Sequence, residues 1–146
     1  MIESILKSKF KKHNGLTEVI KSTLPHVNCC EHILFSANEA YDLKLSESEM
    51  IMAKGFGGGM KIESSCGAVT GGVMVISLLF VNHSDFDNII TDFMFSFKES
   101  YDDTIDCQPL KIKYRQDDIG CQPVIIMAAK VLDSIISKYR KQVNND

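Results

Sequence analysis

The segment 66–81 constrains this chain more than any other. Its apolar residues, among them Val69, Val75, Ile76, Leu79 and Phe80, surround a helical axis instead of lining one side of it. A helix that is apolar all round belongs in the middle of a domain. Residues 73–81, its most apolar part, fall well short of the roughly 20 residues that cross a bilayer. The expectation is a central, buried helix beginning at Cys66 and capped by Ser64 or Ser65. Gly67, Gly71 and Gly72 lie inside it. Each costs about 1 kcal/mol relative to Ala, and the natural offset is close approach of another backbone or of a cofactor. Gly67 and Gly71, together with Gly58 from the Gly57-Gly58-Gly59 run, are the candidate cofactor-contacting positions.

Apolar residues at helical spacing mark the elements that would pack around this helix. Ile2, Ile5, Leu6 and Phe10 form a first stripe, closed by Asn14-Gly15. Leu16, Val19, Ile20 and Leu24 form a second, stopped before Pro25. Asn28 suits the N-cap of a helix bearing Cys29, Ile33, Leu34, Ala37 and Tyr41. Ser46 and Glu49 have the spacing of a capping box, in which each side chain satisfies a free N–H of the first turn. Ser84 and Asp87 should cap a helix with Phe86, Ile90, Phe93 and Phe97 inward. A last helix, with Pro123 tolerated in its first turn, turns Val124, Ile125, Ala128, Leu132, Ile135 and Tyr139 inward. Residues 101–120 read as a long polar loop. Within it, residues 110–114 alternate as a strand would, but one short strand makes no sheet. The fold class expected is all-α, one compact bundle over residues 1–146.

Composition agrees. A 146-residue chain suits one domain, and 45% hydrophobic residues can fill one core. The formal charge of -3 gives no reason to expect a nucleic-acid partner. An acidic stretch, 85–106, and the basic Lys130, Lys138, Arg140 and Lys141 read as solvated helix faces. Residues 1–12 show no secretory leader, so a cytoplasmic location is expected. Structural disulfides are rare there, and an odd count of five cysteines speaks against a closed disulfide framework.

Cysteine placement carries the functional reading. Cys29, Cys66 and Cys121 fall at or just inside expected helix starts, and Cys107 lies in the loop ahead of its own Gln-Pro turn. Helix N-termini present unpaired N–H groups and partial positive charge, which favour thiolate over thiol. Thiolate is both the nucleophile and the metal ligand. Cys-x-x-Cys is absent, so neither a common zinc pattern nor a thioredoxin-like motif applies, and any shared site must be assembled by the fold. Cys30 points about 100° away from Cys29 on a helix and should pack in the core. The bland alternative is that all five cysteines pack as small hydrophobes.

Asn28-Cys29-Cys30-Glu31, Gly55-Phe56-Gly57-Gly58-Gly59-Met60 and Cys66-Gly67-Ala68-Val69-Thr70-Gly71, followed by Cys107 and Cys121, resemble the C-GCAxxG-C-C family of redox-active proteins. Sequence related to this family also occurs beside haem-binding segments in split-Soret cytochromes. The Cys-x-x-Cys-His of covalent haem attachment is missing here. The resemblance covers the chain from about residue 28 to the last helix. It implies a four-cysteine redox site of Cys29, Cys66, Cys107 and Cys121, acting as metal ligands or as catalytic thiols, in an oxidoreductase or electron carrier.

Two mechanisms follow. The four thiolates could bind an iron–sulfur cluster or another soft metal, or they could work by thiol–disulfide exchange with Cys66, expected to titrate below a free thiol, as nucleophile. A non-catalytic helical binding module in which the cysteines only pack is the alternative from another class. His32, three residues after Cys29, reads as a structural histidine ahead of a ligand or proton donor. His13, His26 and His83 read as loop or helix-end residues. The glycine run reads as a turn ahead of a phosphate cradle, and Met50, Met52, Met60, Met74 and Met94 as core filler. A redox partner is implied but not named by any residue. The apolar content allows a homodimer.

Overall fold

A computed structural model describes residues 1–145, with side chains described through Lys141. Asp146, the last residue of the expected domain, lies outside the described residues. Among the described residues there are eight α-helices: α1 (Ile2–Asn14), α2 (Glu18–Thr23), α3 (Cys29–Tyr41), α4 (Glu47–Ile51), α5 (Gly67–Phe80), α6 (Phe86–Ser100), α7 (Cys107–Tyr114) and α8 (Gln122–Asn145). Among the described residues there is no strand, only two isolated antiparallel bridges, Ser65 with Asp106 and Gln116 with Gly120. The fold is all-α. No helix among the described residues is long and apolar enough to cross a membrane.

The apolar run 66–81 is the centre of the bundle. Ala68, Val69, Val75, Ile76 and Phe80 of α5 are buried, against Ile33, Leu34 and Ala37 of α3 and Val124, Ala128 and Leu132 of α8. Backbone approach accounts for the glycines. A Cβ on Gly71 would lie 3.0 Å from the Cys30 carbonyl oxygen, and one on Gly67 would lie 3.0 Å from the Cys30 nitrogen and 3.1 Å from the Phe56 carbonyl oxygen. Helix α3 therefore lies directly against the glycine face of α5. Gly72 faces the Phe93 ring of α6 in the same way.

The outer helices are tied down by polar contacts at their ends. The Ile2 and Glu3 N–H groups donate to the Asp133 carboxylate of α8 at 3.0 and 2.9 Å, so a side chain from the far end of the chain caps α1. Lys138 and Tyr139 donate to Asp92 of α6 at 2.8 and 2.9 Å, and the Arg140 guanidinium lies 4.7 Å from the Tyr41 ring centroid. Part of the basic C-terminal patch thus joins α8 to its neighbours instead of facing water alone.

Several local expectations give way to tertiary contacts. Neither Ser64 nor Ser65 caps α5. Ser65 is held in the bridge to Asp106, and the N-cap position falls to Cys66. Asp85, not Ser84, precedes α6, and its side chain makes no cap bond. The second stripe forms α2, but it buries none of its residues. The expected loop 101–120 contains α7. Asp106 is extended at its N-cap and Pro109 stands in its first turn, where proline's missing N–H costs no helical bond. The apparent strand 110–114 is the end of that helix. The capping box of Ser46 and Glu49 forms as expected.

Candidate functional site

The site is built at the starts of four helices. Asn28 opens α3. Its side chain accepts from the Glu31 N–H at 2.8 Å, while the Glu31 carboxylate accepts from the Asn28 N–H at 3.0 Å. The same Asn28 amide donates to the carbonyls of Ala53 and Lys54 at 3.3 and 3.1 Å, so one buried residue fixes both the helix start and the chain leading into the glycine run. That chain then takes an unusual path. Gly58, Gly59, Met60, Lys61 and Glu63 all have positive φ, a region costly for side-chain-bearing residues. Gly59 is required twice over: its φ is +59, and a Cβ there would lie 2.8 Å from Cys107 Cβ.

Cys66 and Cys107 are clamped side by side. The Cys66 N–H donates to the Ile105 carbonyl at 2.7 Å, and the Cys107 N–H donates to the Ser64 carbonyl. This exchange is the Ser65–Asp106 bridge, and it sets the starts of α5 and α7 next to each other. A second bridge, with Gln116 and Gly120 exchanging bonds of 3.0 and 2.6 Å, turns the chain from α7 back to Cys121. The Cys121 carbonyl accepts from the Ile125 N–H in the first turn of α8 at 3.1 Å.

These devices bring Cys29, Cys66, Cys107 and Cys121 to the wall of one cavity of about 880 Å³, with Phe10, Leu110, Val124 and Ile125 supplying apolar lining. All five cysteines are free thiols. Cys30 is turned away, fully buried, with its sulfur 3.8 Å from the Met74 sulfur. Gly58 and Gly67 line the cavity too. Gly71 does not, and the space beside it is taken by the backbone of α3.

The four thiols share a helix-start position but not a protonation tendency. Burial pushes the Cys66 thiol up to about 11, although the Ala68 and Val69 N–H groups oppose the rise. The lowering expected from its helix start is therefore reversed, because desolvation of a thiolate outweighs two N–H dipoles. Burial raises Cys107 as well, with the Cys121 charge adding to the rise and Lys111 opposing it. Cys121 goes the other way. The Cys29 thiol stabilises its thiolate by hydrogen bonding, and Arg115 and Lys111 add positive charge. Cys29 is raised by the same hydrogen bond and then by burial. The pair thus releases one proton readily and holds the second tightly, as interacting acids do.

His32 lies at the same cavity, edge-on to Phe10 with centroids 5.0 Å apart. Burial lowers it to about 4, and Lys9, His26 and His13 push in the same direction. It is therefore neutral at physiological pH.

As for metals, four thiolates are the right donor chemistry for an iron–sulfur cluster. Among the described residues, no group of three or more His, Cys, Asp or Glu side chains is gathered to hold a single ion.

Lys111 and Arg115 were not recognised from the sequence, because they sit on the helix taken for a loop. The signal was present in Asp106-Cys107-Gln108-Pro109, which matches the Cys-Gln-Pro used to place the start of α8.

No curated protein and no solved structure matches the chain. One family model does, that of the "Putative redox-active protein (C_GCAxxG_C_C)", over residues 27–135, which takes in every cysteine and all four helix starts of the cavity. By its sequence, and with its four motif cysteines on one cavity, this chain belongs to the C_GCAxxG_C_C family.

Proposed function

We propose that this protein is a thiol–disulfide oxidoreductase in which Cys121 is the attacking thiolate and Cys29 the resolving thiol. The observation that carries this reading is that both thiols line one cavity, from the starts of α8 and α3, with Arg115 beside Cys121. The nucleophile is the thiolate, and it is favoured at helix starts near cations that keep some contact with water. Cys121 has all three features, whereas Cys66 is buried. In the reaction the Cys121 sulfur bonds to one sulfur of a substrate disulfide and expels the other as a thiolate. Cys29 then passes its proton to the expelled thiolate and attacks the Cys121 sulfur, releasing the second substrate thiolate. The substrate gains two electrons and the cysteine pair becomes a disulfide. Cys66 and Cys107, held side by side by the Ser65–Asp106 bridge, line the same cavity as that pair.

The test is alkylation of the reduced protein by iodoacetamide across pH, with peptide mapping, and a second mapping after mild oxidation. Cys121 should label first, with a midpoint below the ~8.5 of a free thiol, and oxidation should give a Cys29–Cys121 disulfide. A Cys121 midpoint at or above the free-thiol value, or no such disulfide, overturns the reading. Stoichiometric iron with labile sulfide in protein purified without oxygen would overturn it in favour of a cluster.

A further inference from the structure

The thiol chemistry draws on Lys111 and Arg115 but leaves the other cavity cations, and the single sign of the wall, unused. Across the whole chain acidic residues outnumber basic ones, 19 to 16. In the cavity wall the balance is inverted: its formally charged residues are Lys9, Lys21, Lys111 and Arg115, with no Asp or Glu. They form two groups, one on α1 and α2 and the other on α7. Lys9 and Lys21 have carboxylate partners, Glu39 at 3.2 Å and Glu18 at 3.3 Å, but Glu39 is 62% exposed and Glu18 91%, so both pairs are screened by water. Among the described residues, Lys111 and Arg115 form no salt bridge. His32, held neutral chiefly by burial and then by the Lys9 charge, adds no counter-charge to this wall. A volume of about 880 Å³ suits a small molecule, not a protein strand end alone.

We infer that the cavity binds a small disulfide carrying a carboxylate on each arm, one arm held by the cations of α7 and the other by those of α1 and α2, with the sulfur–sulfur bond presented to Cys121. The inference rests on the thiol–disulfide reading and names its substrate class. Attack proceeds as described above: the Cys121–substrate bond forms, the substrate disulfide breaks, and the departing thiolates carry the carboxylates out. A low-dielectric wall with one sign of charge focuses the field on such a ligand and raises its local concentration.

The experiment compares three disulfides with equal two-carbon arms: 3,3′-dithiodipropionate, bis(2-hydroxyethyl) disulfide and cystamine, which are dianionic, neutral and dicationic. Their rates with the reduced protein are measured at low and high salt. The ratio of dianion to neutral rate is the readout, because the reactivity of Cys121 itself cancels in it. The ratio should be at least about tenfold at low salt and approach unity in 0.5 M salt, where screening lengths fall to a few Å. It should also collapse in the double variant Lys21→Gln/Lys111→Gln, with cystamine slowest in the native protein. A second arm uses suberate, an unreactive dianion of matching length, which should protect Cys121 from iodoacetamide. Neutral disulfide reacting as fast as the dianion, together with no protection by suberate, overturns the inference while leaving the thiol chemistry standing. Protection by suberate without reaction of any disulfide keeps the anion site and sinks the thiol–disulfide reading.

Discussion

The two halves of the cavity wall supply cysteines at helix starts, and Cys66 of one half and Cys121 of the other are driven in opposite directions. On one side, α3 and α5 meet backbone to backbone over Gly67 and Gly71, and Cys66 sits 4% exposed where they join. On the other, α7 and the turn into α8 are held by two short bridges, and Cys121 is half-buried beside exposed Lys111 and Arg115. The same helix-end dipole acts on both. Burial overrides it at Cys66, and at Cys107 in the second half too, whereas at Cys121 the Cys29 thiol, Arg115 and Lys111 tip the balance to thiolate. Position at a helix start is therefore not sufficient to make a reactive thiol. The environment decides.

Breaking the tightly packed half should have the largest effect. Gly71→Leu forces a side chain into the α3 backbone at 3.0 Å from the Cys30 carbonyl oxygen, where nothing flexible can yield. A loss of about 3 kcal/mol or more, or failure to fold, is expected. An unchanged urea midpoint would show that α3 and α5 are not in close contact.

Acid should act next, through His32. Its pKa is lowered to about 4 from 6.5, so the unfolded chain takes up the proton first as pH falls. Stability is lost between pH 6.5 and 4, by up to about 3 kcal/mol from this group. In His32→Gln that part of the loss should vanish. An identical acid titration of stability in both proteins would contradict it. Cys66 predicts the mirror case: raised to about 11, it protects stability below the free-thiol pKa and loses it as pH rises towards 11. Cys66→Ala should flatten this alkaline fall.

Asn28→Ala removes the cap of α3 and both bonds to the Ala53 and Lys54 carbonyls. About 2 kcal/mol should be lost, with faster hydrogen exchange across residues 53–63. A loss confined to α3 would mean that the glycine run holds its path without Asn28.

The smallest effect sharpens the contrast. Arg115→Gln leaves the packed half untouched, so stability should hold while the Cys121 alkylation midpoint rises and its rate at pH 7 falls roughly two- to fivefold, the size of one exposed charge interaction. An unchanged midpoint would assign the Cys121 thiolate to Cys29 and Lys111 without Arg115.

The central helix, the Asn28 and Ser46 caps and the inner faces of α1, α3, α6 and α8 were legible in the sequence, because apolar spacing and cap chemistry act within a few residues. The grouping of Cys29, Cys66, Cys107 and Cys121 came from family resemblance and shared helix-start placement, not from spacing between them. Helix α7 was missed because its short length and weak periodicity hid it, although its Asp and Pro signals were there. The α1 cap was missed because Asp133 lies far along the chain.

The sequence alone determined that this chain is a helical bundle around residues 66–81 and that Cys29, Cys66 and Cys121 precede or open helices, whereas the helix opened by Cys107 emerged only in the structure. Only the tertiary structure decided which of them is acidic. The reason is physical: a helix start is a local property, whereas desolvation of Cys66 by α3, and the meeting of Cys121 with Cys29, Lys111 and Arg115, join groups distant in sequence that the fold alone brings together.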